Sequence, residues 1–203
     1  MRERALIQYA YGPSTLTERT MEVENLPLIG AKLIRPRVFR DLRGFFLESY
    51  SAQQYQAAGM PEVWVQDNHS RSSKDTLRGL HYQSKPGQAK LVRVTVGRVF
   101  DVIVDIRPSS RTYGQWHGSY IDSEEHAQIY IPIGFAHGFC VLSDVAEVQY
   151  KVSAPYDAAN ECAIRWNDAE IGVDWPVGSP ILSARDQDSE SFASYRARVT
   201  STR

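Results

Sequence analysis

Cysteine is scarce in this 203-residue chain: there are two, Cys140 and Cys162, far apart and outside any CxxC pair. A disulfide framework and a paired-cysteine metal or redox motif are therefore excluded, and the pattern predicts reduced thiols in a cytosolic protein. Long apolar runs are missing too. Nothing approaches the roughly 18 consecutive apolar residues of a membrane helix, and Arg2, Glu3 and Arg4 open the chain without the apolar stretch of a secretory signal. Charge of one sign is also lacking, with 23 Lys and Arg against 24 Asp and Glu. That balance argues against a broad nucleic-acid or membrane surface while leaving room for a small anion held by two or three cations. There is no GxGxxG, no P-loop and no GxSxG, so dinucleotide redox, phosphoryl transfer and serine hydrolysis lose their usual signatures.

Histidine is sparse as well. His69, His81, His117, His126 and His137 include no HxH or HxxxH pair, which argues against the clustered metal ligands that jelly-roll proteins often carry. No metal and no cofactor are expected.

What is present reads as β structure. The apolar fraction of 42% with 11% aromatics is ample for a core. Residues 1–22 are polar and aperiodic and are expected to form an extension; 23–203 fit one domain. From Leu26 onward, short runs rich in Val, Ile, Tyr and Phe alternate with Gly, Pro, Asn and Asp. Strands are predicted at 63–69, 90–96, 99–106, 128–132, 138–142 and 146–152, with Gly97-Arg98 as a turn joining the second to the third. Helices are expected only at 51–58, between Ser51 and Gly59, and at 186–197. Many short strands and few helices point to an all-β jelly roll.

Strand alternation doubles as a search for reactive groups. Lys90 shares its face with Val92, Val94 and Val96, and Tyr150 shares its face with Ala146, Val148 and Val152. Each therefore points toward the core. Lys90 either snorkels from the strand end or holds an ammonium inside a barrel mouth. Tyr150 is either a satisfied core tyrosine or a reactive phenol. His81, after Arg78-Gly79-Leu80, and His137, in the apolar segment 131–139, each have a structural alternative. In the strand predicted at 99–106, Phe100, Val102, Val104 and Ile106 take one face, and Asp101 and Asp105 the other.

The order of the blocks carries more than any single residue. Asp41-Leu42-Arg43-Gly44-Phe45-Phe46-Leu47-Glu48, Gln66-Asp67-Asn68-His69-Ser70 and Leu77-Arg78-Gly79-Leu80-His81-Tyr82-Gln83 come first. Lys90-Leu91-Val92-Arg93, 100–107, 131–142, Trp166-Asn167-Asp168 and Leu182-Ser183-Ala184-Arg185-Asp186 follow. In this order they resemble the dTDP-4-dehydrorhamnose 3,5-epimerase family over residues 26–186. The departures are mild: Tyr130 and 120–122 differ from the family's usual residues, away from the catalytic positions.

The resemblance implies a cupin-type jelly roll, a homodimer, a cytoplasmic isomerase without cofactor, and a dTDP-linked keto-sugar substrate. It also implies roles: His81 as base, Asp186 as its partner, Lys90 as enolate stabiliser and Tyr150 as acid. Arg43 and Arg78 match the pyrophosphate ligands. Phe39, Glu48, Gln66, Asn68 and Tyr156 match the lining of the nucleotide and sugar pocket, and His137 a contact to the sugar. The expected reaction converts dTDP-4-keto-6-deoxy-D-glucose to dTDP-4-dehydro-L-rhamnose by inversion at C3 and C5. The alternatives are a C3-only or C5-only epimerase of the same fold, a non-catalytic sugar-nucleotide-binding cupin, and a metal-dependent cupin oxygenase.

Overall fold

The computed structural model describes residues 21–60 and 63–200; most of the expected extension, 1–20, lies outside them. The chain runs β1 (Met21–Asn25), β2 (Lys32–Pro36), β3 (Val38–Asp41), β4 (Gly44–Leu47), α1 (Ala52–Ala57), β5 (Gln66–Ser73), β6 (Leu77–Gln83), β7 (Lys90–Val96) and β8 (Arg98–Asp105). It continues through β9 (Trp116–Asp122), β10 (Gln128–Ile131), β11 (Phe135–Val141), β12 (Val145–Val152), β13 (Glu161–Ala163), α2 (Ala184–Gln187) and α3 (Phe192–Thr200). Six strands form one antiparallel sheet in the order β1-β2-β10-β7-β12-β5. Five form a second in the order β13-β6-β11-β8-β9, and β3-β4 stand apart as a ribbon. This is a jelly roll, as the strand-rich sequence predicts, and of the cupin type that the family resemblance implies.

The two sheets enclose a shared core. Val92, Val94, Ile129, Ala146 and Val148 from the larger sheet meet Val99, Ile103, Ile121, Phe139 and Val141 from the smaller. Each inner face is built from alternate residues, as sheet packing requires. Two further apolar layers cover the outer faces. Phe100, Val102, Val104 and Cys140 pack against Ile164, Phe192 and Tyr195 of the C-terminal region, while Leu91 and Tyr130 are covered by Tyr55 of α1 and by Met60.

Three expectations change. Gly97 does not close a hairpin, because β7 belongs to the larger sheet and β8 to the smaller. It is a corner where the chain changes sheets. Its φ is +76°, and an added Cβ would meet Val145 O at 2.1 Å, so backbone conformation and space both call for glycine. The strand expected at 63–69 starts later, at Gln66, and runs on to Ser73. The C-terminal helix is two short helices, interrupted between Gln187 and Phe192. Asp168 holds that break, its Oδ2 accepting from Phe192 N at 2.9 Å.

Candidate active site

The core thins out at one end of the sandwich and leaves a cavity of about 320 Å³. Its polar lining includes Arg78, His81, Lys90, His137, Tyr150, Tyr156, Glu161, Arg185 and Asp186. The groups come from both sheets. His81 lies on β6 directly opposite His137 on β11, so the smaller sheet presents two imidazoles. Lys90 and Tyr150 lie on β7 and β12 of the larger sheet, where Lys90 opposes Val152 and Tyr150 opposes Val92.

His81 Nε2 stands 2.6 Å from Asp186 Oδ1, a contact in which the carboxylate accepts. The far carboxylate oxygen accepts from Ser183 Oγ at 2.8 Å, and the Asp186 amide donates back to that hydroxyl at 3.1 Å. Ser183 is thus the N-cap that fixes α2 and with it the carboxylate. Burial pushes the Asp186 carboxyl up, but the bonds from His81 and Ser183 and the charge of His81 outweigh it, leaving it below the usual carboxylate range.

Lys90 is 8% exposed, and its Nζ donates to His81 O at 3.4 Å. Desolvation brings its pKa down to about 8, against the pull of Glu161 and Asp101. Burial and the nearby Glu161 charge raise the Tyr150 phenol, with Arg78 acting the other way. Tyr150 therefore keeps its proton at neutral pH. His137 donates from Nε2 to Asp101 Oδ2 at 2.8 Å, and burial lowers its pKa despite that carboxylate. A neutral imidazole is the result.

The predicted residues divide into three groups. His81, Lys90, Tyr150, Asp186, Arg78, His137 and Tyr156 line the one cavity. Gln66 and Asn68 border it: Gln66 Oε1 accepts from Tyr156 N at 3.0 Å, and Gln66 Nε2 donates to Asn68 Oδ1 at 2.8 Å. Phe39, Arg43 and Glu48 do not join them. Phe39 and Arg43 line a separate hollow on the β3–β4 ribbon with Phe45 and Phe46, and Arg43 is occupied by Asp41. Glu48 accepts from Gln54 Nε2 at 2.8 Å.

Sequence reasoning missed Glu161, Arg185 and Asp101. Glu161 pairs with Arg185 at the cavity wall. Burial raises Glu161, and bonds from Arg185 and Tyr156 outweigh it and hold the group below its ordinary range. Only its short aperiodic run marked it in the sequence. Asp101 sits on an interior face with 1% exposure, and the signal available was an acid flanked on both parities by apolar residues from Val99 to Val104. Among the described residues, no group of three or more His, Cys, Asp or Glu is placed to hold a metal ion.

An imidazole on one sheet, oriented by a carboxylate from α2, facing an ammonium and a phenol on the other sheet defines a cupin-type protein with an acid–base site. A match to the dTDP-4-dehydrorhamnose 3,5-epimerase family extends over residues 25–194. The enzyme of that name from Pseudomonas aeruginosa is 49% identical over 175 residues, covering 85% of this chain and 97% of its own. A dTDP-4-dehydrorhamnose 3-epimerase from Streptomyces niveus is 40% identical, covering 87% and 86%. The crystal structure of the dTDP-6-deoxy-D-glucose-3,5-epimerase of Legionella pneumophila in complex with dTDP-4-keto-L-rhamnose superimposes with a TM-score of 0.85 at 44% identity, covering 88% and 96%. The chain belongs to the dTDP-4-dehydrorhamnose 3,5-epimerase family.

Proposed function

We propose that this protein is an isomerase that inverts C3 and C5 of dTDP-4-keto-6-deoxy-D-glucose, giving dTDP-4-dehydro-L-rhamnose. The observation that carries the reading is the placement of a carboxylate-bound imidazole and a protonated phenol on opposite sheets of one cavity. Inversion needs a proton removed from one ring face and returned to the other.

Both C3–H and C5–H lie beside the C4 ketone, so loss of either proton yields an enolate. His81 takes the proton, and ionised Asp186 holds the imidazole in orientation and stabilises its cation. The Lys90 ammonium, still mostly charged at neutral pH, stabilises the developing C4 oxyanion where little water competes. Tyr150 returns a proton from the other sheet. His137, fixed by Asp101, meets the sugar, with Tyr156 at the entrance. Arg78 binds the diphosphate through a planar fork suited to phosphate oxygens.

A homodimer completes this reading. Phe39, Arg43 and Glu48 stand outside the cavity of their own chain, and the ribbon that carries the first two exposes Phe39, Leu42, Phe45 and Phe46. Paired with a second subunit, the ribbon would bury that apolar surface and bring Arg43 to a neighbouring diphosphate. We read residues 23–203 as one domain acting in the cytoplasm. The name of the Streptomyces niveus relative favours a second reading, inversion at C3 alone.

Proton NMR in D2O with dTDP-4-keto-6-deoxy-D-glucose separates these readings. The protein should introduce deuterium at both C3 and C5, and His81→Asn should abolish both while remaining folded. Deuterium at C3 alone would establish the second reading. Near-normal exchange by His81→Asn would remove His81 from the role of base.

A further inference from the structure

The β3–β4 ribbon joins neither sheet, and its Phe39, Leu42, Phe45 and Phe46 are exposed. Side-chain contacts rather than strand pairing therefore hold it in place. Two of them reach the turn between β9 and β10. From β3, Arg40 Nη2 donates to Glu124 O at 2.8 Å. From β4, the Phe45 ring meets the His126 imidazole with 4.4 Å between centroids and a tilt of 42°, at the close end of the range for attractive aromatic pairs. The Arg40 guanidinium lies over the same Phe45 ring, 5.9 Å from its centroid, so both contacts converge on one aromatic side chain.

The turn is shaped to present that imidazole. Asp122 Oδ1 accepts from the amides of Glu124 and Glu125, both at 2.9 Å, which fixes the backbone leading to His126. His126 itself has a φ of +57°, a left-handed conformation that costs most side-chain-bearing residues and that glycine or asparagine enters more easily. Such a conformation persists where the surroundings hold the residue in it. A hydrogen bond at Nε2 is not what holds His126, because that atom is buried without a partner. Packing against Phe45 is. Arg43 lies between the two clipped positions, in the turn that joins β3 to β4. Its amide donates to Asp41 Oδ1 at 2.8 Å and its Nε to Oδ2 at 3.1 Å. The guanidinium is thereby fastened to the ribbon, and a shift of Phe45 carries it along.

We propose that His126 is a positioning residue: together with Arg40 it clips the ribbon to the β9–β10 turn, and so sets where the ribbon presents Arg43 to a second copy of this chain. The assignment rests on the proposed pairing of subunits through the ribbon.

Steady-state proton exchange into dTDP-4-keto-6-deoxy-D-glucose, with kcat and KM separated, tests it beside a thermal melt of each variant. His126→Asn keeps the left-handed backbone and removes the ring. It should raise KM about three- to tenfold, the range for one aromatic pair, with kcat and melting temperature unchanged. His126→Phe, which restores a ring without nitrogens, should bring KM back near the wild-type value. In an Arg43→Ala background, His126→Asn should add nothing, because the group it positions is gone. An unchanged KM in His126→Asn would overturn the assignment, as would no recovery in His126→Phe or a full additional loss in the double variant. A fall in kcat together with a lowered melting temperature would make His126 merely structural and overturn it too. If Arg43→Ala alone leaves KM unchanged, the shared-ribbon reading itself has failed.

Discussion

Replacing Lys90 by methionine keeps an unbranched stem in the core and removes the charge. The ammonium is 8% exposed, and burial brings its pKa from 10.5 to about 8. Each factor of ten in an acid constant is about 1.4 kcal/mol, so keeping Lys90 charged costs the folded state roughly 3 kcal/mol. Methionine removes that cost and gives up the 3.4 Å bond to His81 O, worth about 1 kcal/mol. At pH 7 the variant should be more stable by about 2 kcal/mol, a rise of roughly 4–8 °C in melting temperature for a chain of this size. The pH dependence fixes the cause. Below pH 8 the lysine is charged in both states and the full cost applies. Between about 8 and 10.5 the unfolded chain holds a proton that the folded one has released, so the wild type gains stability as pH rises. The advantage of Lys90→Met should therefore be largest at pH 7 and nearly gone by pH 10, while substrate proton exchange at pH 7 falls on the order of 10²-fold. Calorimetric melts of both proteins at the two pH values, beside the exchange assay, make the measurement. A variant that melts lower at pH 7, or keeps the same advantage at pH 10, would refute the argument that burial of the ammonium strains the fold.

Exchange at C3 and C5 should survive exhaustive chelation without added cofactor; loss with EDTA and return with one particular metal would replace the acid–base mechanism. Light scattering at micromolar concentration should give a mass near twice the 23.0 kDa of the chain, whereas a value near 23.0 kDa would count against the shared ribbon.

Alternation served the sequence reading where a strand has one face toward the shared core and the other toward something different. β7 and β12 are such strands, and both Lys90 and Tyr150 point inward as their parity predicts. β8 is not. Apolar residues cover both of its faces, because the C-terminal region packs on the outside. Apolarity alone therefore did not distinguish the interior, and the face bearing Asp101 turned out to be the one between the sheets. Gly97 was legible as a turn but not as a change of sheet, since that depends on which strands receive β7 and β8, a long-range property. The break between α2 and α3 is set by Asp168, which lies 24 residues from Phe192, beyond the reach of local helix signals. Glu161 and Arg185 belong to the cavity for the same reason: β13 is three residues long and takes its place only by pairing with β6.

The contact between His81 and Asp186 joins positions 105 residues apart. Every strand of both sheets precedes Ser183 in the chain. During synthesis at about 5–20 residues per second, the imidazole emerges roughly 5–20 s before its carboxylate. All the strands of both sheets can pair in that interval with the base still unoriented. Competence in this protein is therefore a late event, conferred by a four-residue helix that follows the last strand, and a nascent chain halted short of Ser183 would carry every strand of both sheets without the carboxylate that orients its base.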